Sequence, residues 1–181
     1  MKTPIQGTLI TVCSISVLLT TSTIGCSPGD ADMSTRLEAN KAVVMRAWEE
    51  GFNQGNFAVL NELFDESYIE LTPYGTVEQG GPERAIQAYE WMRSVFGDIH
   101  FEVEQMMAEG DFVFSRAMAT GTHIGEFMGV PATGRPVRFA AVVVSRVSHG
   151  KHVQDWSFID TIAILSQIGD VSVEPGQSIE Q

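Results

Sequence analysis

The stretch Gly121 to Arg135, GTHIGEFMGVPATGR, constrains this chain more than any other. Its glycines and its proline interrupt both helical and strand periodicity, so it reads as a long connection between regular elements. His123 closes the strand-like run that enters it. Directly after it, Val137 to Val147 is almost continuously apolar, as a central strand is. His149-Gly150 then marks a tight turn into a further strand, Lys151 to Asp160. Strands joined by one punctuated connection and one short turn build the rim of a pocket over a sheet.

The chain ahead of this region begins with helices. Thr35 with Glu38 has the spacing of a capping box. Leu37, Val44, Met45, Trp48 and Phe52 follow at helical spacing, with Gly55 as a stop. Asn56 is placed to cap a second helix carrying Phe57, Leu60, Leu63 and Phe64. Tyr68 to Thr72 is a short strand ended by Pro73 and a Tyr74-Gly75 turn. Within it Glu70 shares a face with Tyr68, and that face is either solvent or cavity. Pro82 suits a first helical position, and Ile86, Tyr89 and Phe96 trace one face of the helix it opens. Phe101, Val103, Gln105 and Met107 alternate with Glu102 and Glu104 along a half-buried strand. A turn at Glu109-Gly110-Asp111 leads into Phe112 to His123. Asp160 reads as the N-cap of a last helix with Ile162, Leu165 and Ile168 in one stripe, closed by Gly169. Helices first and antiparallel strands after give an α+β domain.

A length of 181 residues suits one domain with a sizeable core, and a net charge of −12 removes the basic face that nucleic-acid binding requires. The first 25 residues form a leader: Met1-Lys2, a short apolar core from Leu9 to Leu19, then small residues up to Gly25. A core this short is a signal-peptide segment rather than a spanning helix. Thr23-Ile24-Gly25-Cys26 resembles the bacterial lipobox, which implies cleavage after Gly25 and lipidation of Cys26. The expected product is anchored in the cell envelope, facing the periplasm at the outer membrane, and touches the membrane through its lipid alone. A plain secretory leader, giving a soluble periplasmic or secreted protein, is the alternative. Residues 26–33 read as a tether, 34–170 as the domain and 171–181 as a loosely ordered acidic tail. With Cys13 removed and Cys26 acylated, neither a disulfide nor a thiol nucleophile remains. His100, His123, His149 and His152 show no two-histidine metal spacing supported by a carboxylate.

Gly121-Thr122-His123-x-Gly125, Gly129-x-Pro131-x-Thr133-Gly134-Arg135, Gly150-Lys151 and Gln167-Ile168-Gly169, in that order, resemble the SnoaL-like polyketide and ester cyclases of the NTF2-like superfamily. The likeness runs from about Asn40 to Gly169. It implies a cone: a curved antiparallel sheet wrapped by N-terminal helices around a blind pocket. It also implies cofactor-independent, metal-free acid/base catalysis on an apolar small molecule, in the family an intramolecular aldol closure, and a possible homodimer through the sheet. The family's acid/base aspartate corresponds to Ser157 here, its pocket histidine to Val143 and its first-strand asparagine to Glu70, while His123 is kept. Asp155 shares a strand face with Ser157 and is the candidate acid/base, with Glu70 and His123 as its catalytic companions, anchoring of the following loop through a backbone hydrogen bond being the equal alternative for His123. Candidate binding residues are Ser157, Trp48, Tyr68, Trp91, Phe127 and Val143. Because Ser157 replaces the family carboxylate, the alternative is an envelope protein that holds a hydrophobic ligand without chemistry.

Overall fold

The computed structural model describes residues 28–72, 75 and 77–169. The leader over 1–25, Cys26 and the tail over 171–181 lie outside these residues.

The first helix, α1 (Pro28–Arg46), continues into a π-helical stretch, Ala47–Asn53. It begins ahead of Thr35, so Thr35 and Glu38 lie within it rather than capping it, and residues 28–33 are helical. The π-helical stretch follows the densest part of the apolar stripe, where Ala47, Trp48 and Gly51 are buried; such stretches recur at functional sites. Helix α2 (Phe57–Leu63) starts after Asn56, whose side chain makes no capping bond. Strand β1 (Phe64–Leu71) begins at the last apolar residue of the expected helical stripe and extends the expected strand backwards. Then come β2 (Val77–Gln79), α3 (Gly81–Val95), β3 (His100–Glu109), β4 (Phe112–Thr122), β5 (Pro136–Ser148), β6 (Lys151–Ile159) and α4 (Thr161–Ile168). None of the described helices is long and apolar enough to cross a membrane.

The strands form one curved, open sheet in the order β2-β1-β6-β5-β4-β3. Every pairing is antiparallel except β1 with β6, which is parallel. The apolar Val137–Val147 run lies in β5, between β4 and β6, as its composition predicts. On β4 burial alternates, with Val113, Ser115, Ala117 and Ala119 inward. On β3 the register shifts between Val103 and Gln105. Phe101 and Val103 face the core, but beyond the shift Met106 and Ala108 replace the expected Gln105 and Met107, and Met107 is 62% exposed. One extra residue reverses the facing of everything after it.

Two local features set the rim. His149 and Gly150 both have positive φ, 51° and 75°, the left-handed pair of a primed hairpin turn between β5 and β6. In the connection after β4, Gly125 crosses the end of α3 so closely that a Cβ there would lie 2.4 Å from the Ser94 carbonyl oxygen. The Ile124 and Gly125 amides both donate to the Val95 carbonyl, at 2.8 and 3.1 Å, and dock this loop on the helix. Asp160 accepts a 2.9 Å bond from the Ala163 amide, so it caps α4 as its position predicts. That helix seats Ile164 and Ile168 in the main core.

Candidate active site

Between the helices and the inner face of the sheet lies a cavity of about 520 Å³. Trp48, Phe52, Tyr89 and Phe101 form its aromatic wall, with Trp91 and Phe127 towards the loop. Trp48, Phe52 and Phe101 sit at mutual ring-centroid distances of 5.1 Å, the range of favourable aromatic contacts. The Trp48 indole N–H donates to the Ser115 hydroxyl at 3.1 Å, which satisfies its one polar atom in the buried wall.

Strand register assembles the polar end. Glu70 on β1 is the register partner of Asp155 on β6, and Asp155 is the partner of Ser145 on β5. One step along, Ser157 pairs with Val143 and Val143 with Ser115. Glu70, Asp155, Ser145, Ser157 and Val143 all line the cavity. Side chains that share a register position and a face stand about 5 Å apart, so the two carboxylates are neighbours on one pocket wall.

Asp155 is 6% exposed and has two buried side-chain partners. The Tyr68 hydroxyl lies 3.4 Å from its Oδ2, and His152 Nδ1 lies 3.2 Å from its Oδ1. Burial, and then the charge of Asp155, push the Tyr68 phenol far above its ordinary value, so it remains a donor. Glu70 lies 2.8 Å from Arg84 of α3, which also pairs with Glu78 of β2 at 2.5 Å. Burial raises the Glu70 carboxyl above its usual range. Arg84 and the Ser157 hydroxyl oppose that rise, the Asp155 and Glu78 charges add to it, and the net shift is upward.

A carboxyl whose folded value is raised favours the fold fully below its unfolded value near 4.5, and that contribution disappears as pH rises through the folded value. Glutamine cannot ionise, so the melting temperature of Glu70→Gln is expected to improve relative to wild type as pH is raised from 4 to 8. A difference that moves the other way would mean that attraction to Arg84 outweighs burial.

Of the residues singled out in the sequence, Asp155, Glu70, Ser157, Trp48, Tyr68, Trp91, Phe127 and Val143 line this one cavity. His123 does not, and its expected place beside the carboxylates is corrected. It is 0% exposed, with Nδ1 3.0 Å from the Thr133 hydroxyl. Its amide donates to the Arg135 carbonyl, and its own carbonyl accepts from Gly134, both at 2.9 Å. It pins the two ends of its loop together and packs beside Phe96. His152, Ser145 and Arg84 are among the polar cavity residues that sequence reasoning passed over. Strict alternation puts His152 on the face opposite Asp155. The register shift between β5 and β6 at Val153, with Val147 opposite His152 and Arg146 opposite Gln154, returns it to the same face. Among the described residues no three histidine, cysteine, aspartate or glutamate side chains gather as a metal-ligand set.

A curved α+β cone with an aromatic cavity and a carboxylate-bearing wall is the NTF2-like architecture. The chain belongs to the SnoaL-like polyketide cyclase family, which it matches over residues 42–168. It is 27% identical over 143 residues to the aklanonic acid methyl ester cyclase DnrD of Streptomyces peucetius, covering 76% of this chain and 93% of that one. It is 28% identical over 123 residues to the nogalonic acid methyl ester cyclase of Streptomyces nogalater, covering 66% and 90%. Among solved structures, a SnoaL-like protein of Jannaschia sp. CCS1 superposes with a TM-score of 0.68 at 26% identity, over 75% of this chain and 94% of that one. IdmH of Streptomyces antibioticus does so with a TM-score of 0.63 at 30% identity, over 71% and 96%.

Proposed function

We propose that this chain is a cofactor-independent acid/base catalyst of ring closure on an apolar small molecule, with Asp155 as the group that takes and returns the proton. The observation that carries this reading is the register pairing of Glu70 with Asp155 on the wall of one otherwise aromatic cavity. In an aldol closure the Asp155 carboxylate accepts a proton from the carbon next to a carbonyl. The carbanion equivalent so formed bonds to a second carbonyl carbon, whose C=O π pair becomes an alkoxide, and Asp155 returns the proton to that oxygen. Atoms and electrons balance within the substrate and one carboxyl group. Glu70, its carboxyl shifted upward by burial and paired with Arg84, is the second carboxyl on this wall, in surroundings unlike those of Asp155. Ser157, at the position of the family aspartate, contributes a hydroxyl rather than a base.

Aklanonic acid methyl ester and nogalonic acid methyl ester, named for the relatives' activities, are suitable first probes. The expected result is formation of a cyclised isomer of unchanged mass. Tight binding of these esters, or of co-purifying lipophiles, with no isomer formed would favour the ligand-holding alternative, for which Ser157 and Val143 in place of the cyclase pair speak.

We further propose that the domain is held at the bacterial envelope through Cys26. Two or more acyl chains give stable anchoring, at about 0.8 kcal/mol per buried methylene, where one chain does not. Cys26→Ser is expected to move the protein from the membrane fraction to the soluble periplasm or to leave uncleaved precursor. Wild-type protein that fractionates as soluble, unchanged by Cys26→Ser, would replace the anchor by a plain secretory leader.

Self-association is supported by the outer face of the sheet. Leu71, Trp156, Val144, Phe114 and Met107 form one unbroken apolar row across five strands. Light scattering of the leaderless domain is expected to give a dimer mass, and a monomer at high concentration would remove this reading.

A further inference from the structure

Asp155 is gripped by a residue that neither helical nor strand periodicity points to. The His152 ring is 2% exposed and lies flat on Phe64, with ring centroids 4.3 Å apart and planes 9° from parallel. That stack, together with the bulge at Val153, fixes the direction of Nδ1, which meets Asp155 Oδ1 at 3.2 Å. Nε2 is buried and has no hydrogen-bond partner. A proton on Nε2 would be an unsatisfied buried donor, whereas a proton on Nδ1 is shared with the carboxylate. The surroundings therefore select the Nδ1–H tautomer. A purely structural side chain in an apolar slot against Phe64 needs no such arrangement, because an aliphatic group would fill it without leaving Nε2 unpaired.

We infer that His152 is a positioning residue: its Nδ1–H holds one oxygen of Asp155 while the Tyr68 hydroxyl holds the other, and together they fix the plane in which the carboxylate meets substrate. The inference rests on the reading of Asp155 as the proton carrier. Bulges that re-aim one side chain are a recurrent feature beside active sites, and here the re-aimed side chain is His152. A misplacement of a reacting group by about 1 Å costs on the order of 10²-fold in rate, which sets the expected size of the effect.

The test uses the leaderless domain, aklanonic acid methyl ester as probe, and the variants His152→Leu, His152→Asn and His152→Gln beside Asp155→Asn. The asparagine amide nitrogen can occupy the place of Nδ1, and the glutamine amide reaches that of Nε2. His152→Leu and His152→Gln are expected to lower kcat by about 10²-fold with KM little changed, and His152→Asn to recover most of that loss. Should the leucine variant unfold, the asparagine and glutamine variants, both polar and checked for folding by circular dichroism, give the same contrast. Imidazole nitrogen NMR of the wild type is expected to show His152 as the Nδ1–H tautomer, a readout that needs no turnover. An Nε2–H tautomer overturns the inference. So do equal rates for the asparagine and glutamine variants when Asp155→Asn is inactive, a result that leaves the Asp155 reading standing. Full activity of Asp155→Asn instead removes the Asp155 reading itself.

Discussion

Asp155→Asn is expected to reduce kcat on a turned-over methyl ester probe by about 10²–10⁴-fold, the usual contribution of a positioned acid/base group. Asparagine keeps the size of the side chain, its one oxygen can still accept from His152, and its amide nitrogen can donate to the Tyr68 hydroxyl oxygen, so the cavity wall and KM should be nearly preserved. What is lost is the capacity to accept a proton and give it back. A loss confined to kcat distinguishes this from damage to binding, which would raise KM instead. Equal activity of the variant and the wild type would leave Glu70, the register neighbour on β1, as the other carboxyl on the wall among the described residues able to do the work. Ser157→Asp is the natural companion, because it restores a carboxylate at the family position one alternation further along β6.

The second large effect is on stability. Gly125→Ala is expected to destabilise the fold by about 2–3 kcal/mol, a fall in melting temperature of roughly 5–10 °C for a chain of this length, measured by thermal or urea unfolding. The cause is steric. Gly125 is not among the residues with positive φ, so its backbone conformation would accept alanine. The added Cβ would instead meet backbone: the Ser94 carbonyl oxygen at 2.4 Å and the Val95 Cα at 3.0 Å. Backbone at the end of a helix cannot swing away as a side-chain tip can. The same loop carries Phe127 and Met128 to the cavity, so any relief by loop displacement also opens the pocket. An unchanged melting temperature would mean that the loop lifts off α3 at little cost, and substrate affinity would then be the property that changes.

Much of the site was legible in the chain because local chemistry sets it. The Asp160 cap, the His149-Gly150 turn and the apolar Val137–Val147 run each depend on a few neighbouring residues, and all appear where periodicity and turn preference put them. The strand alternation that makes Tyr68 and Glu70 share a face is equally local, as is that of Asp155 and Ser157. Whether those faces were solvent or cavity was not legible, because facing depends on which strands become neighbours. The parallel pairing of β1 with β6, between segments more than eighty residues apart, is what sets Glu70 beside Asp155.

Single-residue irregularities were the other limit. A strict period of two assigns His152 to the wrong face and Met107 to the core, and in each strand one extra residue reverses the assignment. A bulge is favoured by the sum of packing on both faces of a sheet, which no window of sequence contains. His123 illustrates the converse. Its motif was legible, and with it the choice between loop anchor and ligand contact; the fold decided for the anchor by burying it against Phe96 and setting its Nδ1 beside Thr133. Sequence alone thus determined the elements, their caps and turns, and which carboxylates were available. The tertiary structure decided which of them meet, since long-range strand pairing and the bulge at Val153 bring Tyr68, Glu70, His152 and Asp155 to one end of an aromatic cavity.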